Sequence, residues 1–285
     1  MHPIAEEDYV LAVVVSRDSR ENRSGSRSLG AIACAFAILA AGCGGAAAPS
    51  ATPFSAPSAT TKPNEAVGYT SAKLADGPLA ALPALPLYVN VLDVPQQPAA
   101  STQHAHIAGF VFVASGIHRL VIQNGETKDS QPGQAVFVGQ DVVHTHANPG
   151  TAPNEWYFIA LRNTNARSAA PTFPGQSTLY ESPDLPANAL LAGKYVEQLN
   201  LVTLEKGGRT PSHKHGGVEM VIVLDGTVQV RAAGQAQALT KGKGGVIAPN
   251  TILQATNVGD GQAKFLAFFV TPEGADFSTN VDTVP

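Results

Sequence analysis

Residues 207–226 read GGRTPSHKHGGVEMVIVLDG and contain three side chains of the kinds that bind metals, His213, His215 and Glu219. In an extended strand, side chains at even spacing point to the same face, and these three positions share that spacing. We therefore expect the two imidazoles and the carboxylate to lie together. A divalent first-row metal accepts this donor set and keeps positions open for water or substrate. The stretch predicts a metal site, and the alternative is a histidine-rich surface loop before a strand.

The spacing within this stretch resembles the first motif of the cupin family. Gly207 is followed after five residues by His213-x-His215, after three more by Glu219 and after another six by Gly226. The resemblance implies an all-β fold of the cupin type, a double-stranded β-helix or jelly-roll barrel. It also implies a divalent metal as cofactor, with Fe, Mn, Zn and Ni all compatible with the donors.

The rest of the sequence supports an all-β reading. Short apolar runs alternate with turns, among them FVFVA at 110–114 before Ser-Gly and VEMVIVL at 218–224 before Asp-Gly. Asp-Gly and Asn-Gly between such runs indicate β-hairpins. No long amphipathic helix is present in the pattern, so we expect a sandwich or barrel.

An internal repeat predicts two such barrels in tandem. Gly116 and Gly226 end comparable strands and are 110 residues apart, and His144 and Gln254 are separated by the same distance. A second His-x-His pair lies at His104. We assign residues 66–165 to a degenerate first cupin-like domain, 166–192 to a connector and 193–285 to the second domain.

Each unit departs from the family pattern at a different ligand. In the second unit, the family's later histidine is replaced by Gln254, five residues after Pro249, so Gln254 is predicted only as a weak fourth ligand. In the first unit, the glutamate position falls on Gly109 or Phe110. The resemblance leaves a three-histidine set there, with a neighbouring histidine of the same strand parity as a fourth ligand or a substitute. These first-unit residues are His104, His106, His144 and His146.

The N-terminal region predicts export. Residues 29–42 form an apolar segment that suits the core of a signal peptide, preceded by scattered arginines. The segment ends at Cys43 and resembles a bacterial lipoprotein cleavage site, so we predict a signal peptide at 1–42 and lipidation of Cys43. The acidic first residues suggest that translation starts further downstream. The alternatives are an ordinary signal peptide or a retained anchor.

Residues 43–65 are rich in Ala, Pro and Ser and predict a disordered linker behind the lipidated cysteine. We therefore expect a lipoprotein of the cell envelope, anchored to the outer face of the cytoplasmic membrane or otherwise extracellular. Charged residues make up 14% of the chain, its net charge is −4, and its basic residues are scattered. This composition argues against nucleic-acid binding. Two cysteines provide no disulfide framework.

The sequence leaves three functions open. The resemblance implies a metal-dependent enzyme of the dioxygenase or decarboxylase type acting on a small molecule, but no catalytic residue is assigned beyond the ligands. The second hypothesis is an envelope protein that binds a metal or small ligand without turning it over, and the third is a purely structural role. By analogy with cupins, we expect a homodimer.

Overall fold

The computed structural model of the protein describes residues 62–123 and 125–285. The predicted signal peptide, the lipidated Cys43 and nearly all of the linker lie outside these residues and stay predictions. Within the described part of the chain, no helix has the length and apolarity needed to cross a membrane.

The first strand, β1 (Val67–Leu79), precedes the first barrel in sequence. The barrel itself is formed by two antiparallel sheets, one of five strands in the order β6-β3-β8-β2-β9 and one of three in the order β5-β4-β7. A short 3-10 helix, Thr164–Ser168, links β8 to β9. The strands are β2 (Leu87–Gln96), β3 (Gly109–Ser115), β4 (His118–Ile122), β5 (Thr127–Ser130), β6 (Ala135–Val138), β7 (His144–Ala147), β8 (Asn154–Asn163) and β9 (Ser177–Glu181).

The second barrel is a ten-stranded sheet whose main path runs β14-β13-β16-β10-β17-β12-β15, with β1 paired to β10 and with β11 joining β16 to β18. Its strands are β10 (Tyr195–Arg209), β11 (His213–Lys214), β12 (Val218–Asp225), β13 (Thr227–Ala232), β14 (Gln235–Thr240), β15 (Gly244–Ile247), β16 (Leu253–Asn257), β17 (Ala263–Pro272) and β18 (Thr279–Asn280). The predicted all-β, two-barrel fold is confirmed.

Strand pairing crosses the domain boundaries that we drew from the sequence. Strand β1 lies in the stretch assigned to the first domain, yet it pairs with β10 of the second barrel along nearly its whole length. Strand β9 lies in the predicted connector, yet it pairs with β2 of the first barrel. Both pairings satisfy backbone groups that a sheet edge would otherwise expose.

The two barrels share one apolar core. Its buried side chains come from both units, and the rings of Phe110 and Phe268 meet across it with centroids 5.9 Å apart. Strand β12 is buried on both faces, because Met220 and Ile222 join this shared core while Val221 packs inside the second barrel. Strand β12, which carries Glu219, is therefore packed on both faces.

Candidate metal centres

The second-barrel cluster consists of His213, His215 and Glu219, as the sequence predicts. Strand β11 supplies His213, the short turn after it supplies His215, and β12 supplies Glu219. One donor atom from each of the three residues lies within 4.8 Å of the others. The structure therefore brings together the donors that the spacing places on one face.

Backbone carbonyls fix the orientation of both imidazoles in this cluster. His213 Nδ1 lies 2.8 Å from the Pro211 carbonyl oxygen, and His215 Nδ1 lies 2.6 Å from that of Phe277. A carbonyl only accepts, so each Nδ1 carries the proton and donates it. The Nε2 atoms are thereby left unprotonated, which is the form that binds metals.

Two metal-binding atoms of the cluster, one from His215 and one from Glu219, make no hydrogen bond within the described part of the chain. His215 Nε2 and Glu219 Oε2 are buried 3.5 Å apart, and neither has a hydrogen-bond partner. Buried polar atoms without partners are costly, and a shared cation would satisfy both. These residues therefore fit a divalent metal.

Burial also sets the protonation of this cluster in the metal-free protein. It raises the pKa of Glu219 to about 7, an effect that His213 partly opposes. Burial lowers the pKa of His213 and of His215, so both imidazoles are neutral near neutral pH. A metal at this point would replace a proton on Glu219 rather than on either histidine.

The cluster opens into a cavity of about 290 Å³ inside the second barrel. Its walls are mostly apolar, and Tyr69 of β1 contributes to them. Apart from the three cluster residues, Tyr69 is the one titratable side chain among the described residues that line the cavity. The N-terminal strand thus helps to build the site.

Gln254, our predicted fourth ligand, does not join the cluster. His213 pairs with Leu253 as His104 pairs with His144, so Leu253 is the structural counterpart of His144. Gln254 is one residue further along β16 and is not among the residues that line the cavity. Its side-chain amide donates to the carbonyl oxygens of Pro63 and Thr210. The repeat is offset by 109 residues here rather than 110, and a slip of one residue moves a strand side chain to the other face.

The first-barrel cluster contains four histidines, whose donor atoms also lie within 4.8 Å of one another: His104, His106, His144 and His146. Three of them, His104, His106 and His144, place Nδ1 within 2.6–2.8 Å of a backbone carbonyl oxygen. Their Nε2 atoms are consequently unprotonated, which is the form that binds metals. His104 Nε2 is buried without a partner among the described residues, whereas His144 Nε2 lies 3.1 Å from His146 Nε2.

His146 is held differently from the other three. Its Nδ1 lies 2.9 Å from His118 Nε2, and its Nε2 lies 3.1 Å from His144 Nε2. If His146 binds a metal through Nε2, its proton is on Nδ1 and is donated to His118 Nε2. The proton of His118 must then be on His118 Nδ1. That atom is buried and has no hydrogen-bond partner in the described part of the chain. The geometry therefore favours the three-histidine set, with His146 as the weakest of the four ligands.

The first barrel has no space for the family's glutamate. By strand register Gly109 stands where Glu219 stands in the second barrel, because Phe110 pairs with Ile159 as Met220 pairs with Phe268. A Cβ atom at Gly109 would lie 2.8 Å from the ring of Phe158. The two clusters thus differ in chemistry, one being all imidazole and the other containing a carboxylate.

A cavity of about 400 Å³ adjoins the first cluster and contains residues that no sequence motif marks. Among these are Tyr88, Arg162 and Phe173, the last of which lies in the predicted connector. His118 was also missed, because it lies outside the motif segments. The pairing of β2 with β8 brings Tyr88 and Arg162 together, and the pairing of β4 with β7 brings His118 to the cluster. The sequence does not reveal that register.

The family model for the cupin domain matches residues 91–160 and 200–269. Among solved structures, the chain is similar to Lactobacillus farciminis oxalate decarboxylase in its formate complex, with 16% identity, a TM-score of 0.47 and coverage of 67% of this chain and 80% of that one. Salicylate 1,2-dioxygenase from Pseudaminobacter salicylatoxidans is 14% identical with a TM-score of 0.42, and the match covers 65% of this chain and 70% of that one. Pumpkin seed globulin is 12% identical with a TM-score of 0.48, and the match covers 67% of this chain and 79% of that one.

At these identities, similarity to two enzymes and a seed globulin carries no information about activity. No curated protein matches the chain in sequence. The repeated domain match coincides with the two barrels and with the two histidine clusters. The chain therefore folds as two tandem barrels, each of which matches the cupin-domain model.

Proposed function

We propose that the protein binds a divalent first-row metal in the second barrel and uses it in the chemistry of a small molecule. The observation that carries the proposal is the pair of buried, unpartnered donor atoms, His215 Nε2 and Glu219 Oε2, beside a correctly oriented His213. Two imidazoles and one carboxylate suit Fe(II), Mn(II), Zn(II) or Ni(II). With three protein ligands, a bound metal would keep positions open for water or substrate.

The protein's own residues would have distinct tasks in such a site. His213 and His215 are fixed by their carbonyl partners, so they present Nε2 without rearrangement. Glu219 supplies negative charge once its proton has left. The apolar walls, with Val221 and Phe269 among them, exclude water and strengthen electrostatic interactions at the cluster. A bound metal would supply Lewis-acid or oxygen-binding chemistry.

A second function, binding without turnover, has its own support. Apart from the cluster itself, the described lining of the second cavity offers only Tyr69 as a group able to transfer a proton. Reactions that need a general acid and a general base are therefore poorly provided for. If no turnover takes place, the protein would be a metal- or ligand-binding protein of the envelope.

Metal analysis of the purified full chain tests the proposal. We expect about one divalent metal in the second barrel, lost in His213→Ala and kept in a control variant at an exposed position, Lys206→Ala. His104→Ala should leave this metal in place and remove only metal held by the first barrel. A wild-type protein without stoichiometric metal, after incubation with each of the four candidates, would overturn the proposal.

Turnover assays then separate the two functions. Oxygen consumption and carbon dioxide release are measured with the metal-loaded protein across small carboxylic acids and phenols. Activity that disappears in His213→Ala identifies an enzyme. Tight metal binding without activity in any of these assays supports the binding function instead.

A further inference from the structure

The cavity of the first barrel is cationic, whereas that of the second is not. Three residues of charged types line the first cavity, Arg162, Arg167 and Glu181, and the lining of the second contains neither Lys nor Arg among the described residues. Among these lining residues, the positive charges exceed the negative charges by one.

That spare charge belongs to Arg162. Arg167 is already engaged, since it forms ion pairs with Glu181 at 3.2 Å and Asp184 at 2.9 Å and lies over the Tyr88 ring at 3.9 Å. Arg162 makes a single 3.4 Å hydrogen bond to Asn90 Oδ1 and has no ion pair with any residue of 62–123 or 125–285. A half-buried guanidinium with one long hydrogen bond has several donors to spare.

A second unused donor lies beside Arg162. Tyr88 on β2 is directly opposite Arg162 on β8, and both side chains line the cavity. The Tyr88 side chain is fully buried, and within the described part of the chain its hydroxyl has no hydrogen-bond partner. Burial raises the pKa of Tyr88, so the hydroxyl keeps its proton and can donate it. A guanidinium and a hydroxyl at one cross-strand pair form a site for an anion.

The surroundings define which anion fits. One spare positive charge, with the Glu181 carboxylate near the same wall, suits a monoanion better than a doubly charged phosphate. Part of the remaining wall is apolar and includes Leu92, Trp156 and Phe173. The volume of about 400 Å³ lies within the range of small-molecule sites.

We propose that the first barrel binds a small carboxylic acid whose carboxylate is held by Arg162 and Tyr88 and whose apolar body packs against Trp156. The site goes beyond the proposed metal function, since it requires no metal in either barrel. It assigns the two cavities to ligands of different kinds, an anion in the first and an uncharged or metal-bound molecule in the second.

The chain contains a built-in reporter for this cavity, because Trp156 is its only tryptophan and lies in the wall. The probes are cyclohexanecarboxylate and its neutral isostere cyclohexanecarboxamide, neither of which absorbs where tryptophan does. Both are titrated into metal-free, full-length protein while the Trp156 fluorescence is recorded. Removing metal ensures that direct coordination of the carboxylate cannot produce the response.

We expect the carboxylate to bind saturably and at least about tenfold more tightly than the amide. Arg162→Gln should remove that preference, Tyr88→Phe should reduce it by a smaller factor, and both should bind the amide as the wild type does. Arg231→Gln, at an exposed position on the second barrel, is the matched control and should behave as wild type.

Equal affinity for the two probes in wild type, or an unchanged carboxylate preference in Arg162→Gln, would overturn the proposal. If Arg162→Gln does not fold, the comparison of the two probes in wild type and in Tyr88→Phe still decides it. The outcome is independent of the metal analysis, so failure of one proposal does not imply failure of the other.

Discussion

Glu219 is the single carboxylate among the seven clustered donor residues that the structure describes in the two barrels. Burial raises its pKa to about 7, while the histidines beside it have lowered pKa values. Metal binding needs the carboxylate form, so protons and metal compete for Glu219 below about pH 7. The competing proton on this one residue should dominate the pH dependence of the second site.

We therefore expect the metal affinity of the second barrel to fall about tenfold for each pH unit below about 7 and to level off above it. The measurement is a metal titration of His104→Ala protein between mildly acidic and mildly basic pH. Glu219→Gln should bind more weakly at neutral pH and show a much flatter profile. A profile that stays steep in Glu219→Gln would show that another group carries the dependence.

At the scale of single residues, the sequence predicts the second cluster well and the first cavity poorly. The short stretch that contains His213, His215 and Glu219 identifies all three donors, although a turn separates β11 from β12 and the three do not share one strand face. Arg162 and Tyr88 have no such pattern, since they are 74 residues apart and meet only through the pairing of β8 with β2. Long-range pairing of this kind leaves no trace in local spacing.

At the scale of elements, the register of β16 determines how many ligands the second barrel offers. Leu253 lines the cavity opposite His213, whereas Gln254 faces away toward the Thr210 carbonyl. The position five residues after Pro249, where the family has a ligand, is Gln254. The position four residues before Asn257, which corresponds to His144 before Asn148, is Leu253. Asn257 anchors the strand end with three amide hydrogen bonds, as Asn148 anchors β7 with two. The asparagine is therefore the better marker of register.

This register makes a direct prediction about the missing ligand. Leu253→His should place an imidazole where His144 stands in the first barrel and raise the metal affinity of the second barrel by about tenfold or more. Gln254→His, the change that the sequence pattern would suggest, should leave the affinity unchanged because its side chain faces away from the cavity. Metal titrations of the two variants in a His104→Ala background measure the difference.

Thermal unfolding with and without metal provides the control. Without metal, Leu253→His should be less stable than wild type, because a polar ring replaces an apolar side chain that is 2% exposed. Added metal should restore stability in this variant more than in wild type. Tighter binding in Gln254→His together with unchanged binding in Leu253→His would show that our register is wrong.

The pairing of β1 with the second barrel is the part of the fold that the sequence does not predict. Tandem barrels follow from the repeat, but the pairing of β1 with β10 joins positions more than 100 residues apart and no turn motif connects them. The alternation in β1 is irregular, with a register shift between Lys73 and Ala75. A bulged strand of this kind lacks the strict period that identifies its partner face.

At the scale of the whole molecule, the two barrels meet through the shared core, and a carboxyl group lies within it. Glu197 on β10 lies on the same strand face as Tyr195 and Leu199, which both belong to that core. Its side chain is fully buried, and neither carboxyl oxygen has a hydrogen-bond partner in the described residues. Burial raises the pKa of Glu197 to about 8.

This group should make the stability of the folded protein sensitive to pH. An unfolded glutamate has a pKa near 4.5, so between about 4.5 and 8 the folded protein holds a proton that the unfolded chain has released. The free energy of unfolding should therefore decrease as pH rises through this window, by up to about 1.4 kcal/mol per pH unit. Below the window the carboxyl is neutral in both states and imposes no pH-dependent penalty.

Glu197→Gln should remove this contribution, so the variant is expected to be more stable than wild type by a few kcal/mol at pH 8 and nearly equal to it at pH 4.5. Urea unfolding of metal-free protein across the range gives the comparison, and the difference between the two proteins excludes the titration of Glu219, which they share. Glu273→Gln, at an exposed position, is the matched control and should follow wild type at every pH. If the stability difference between Glu197→Gln and wild type does not grow with pH, the carboxyl has a partner or solvent access that removes its penalty, and its charge does not limit the stability of the folded protein.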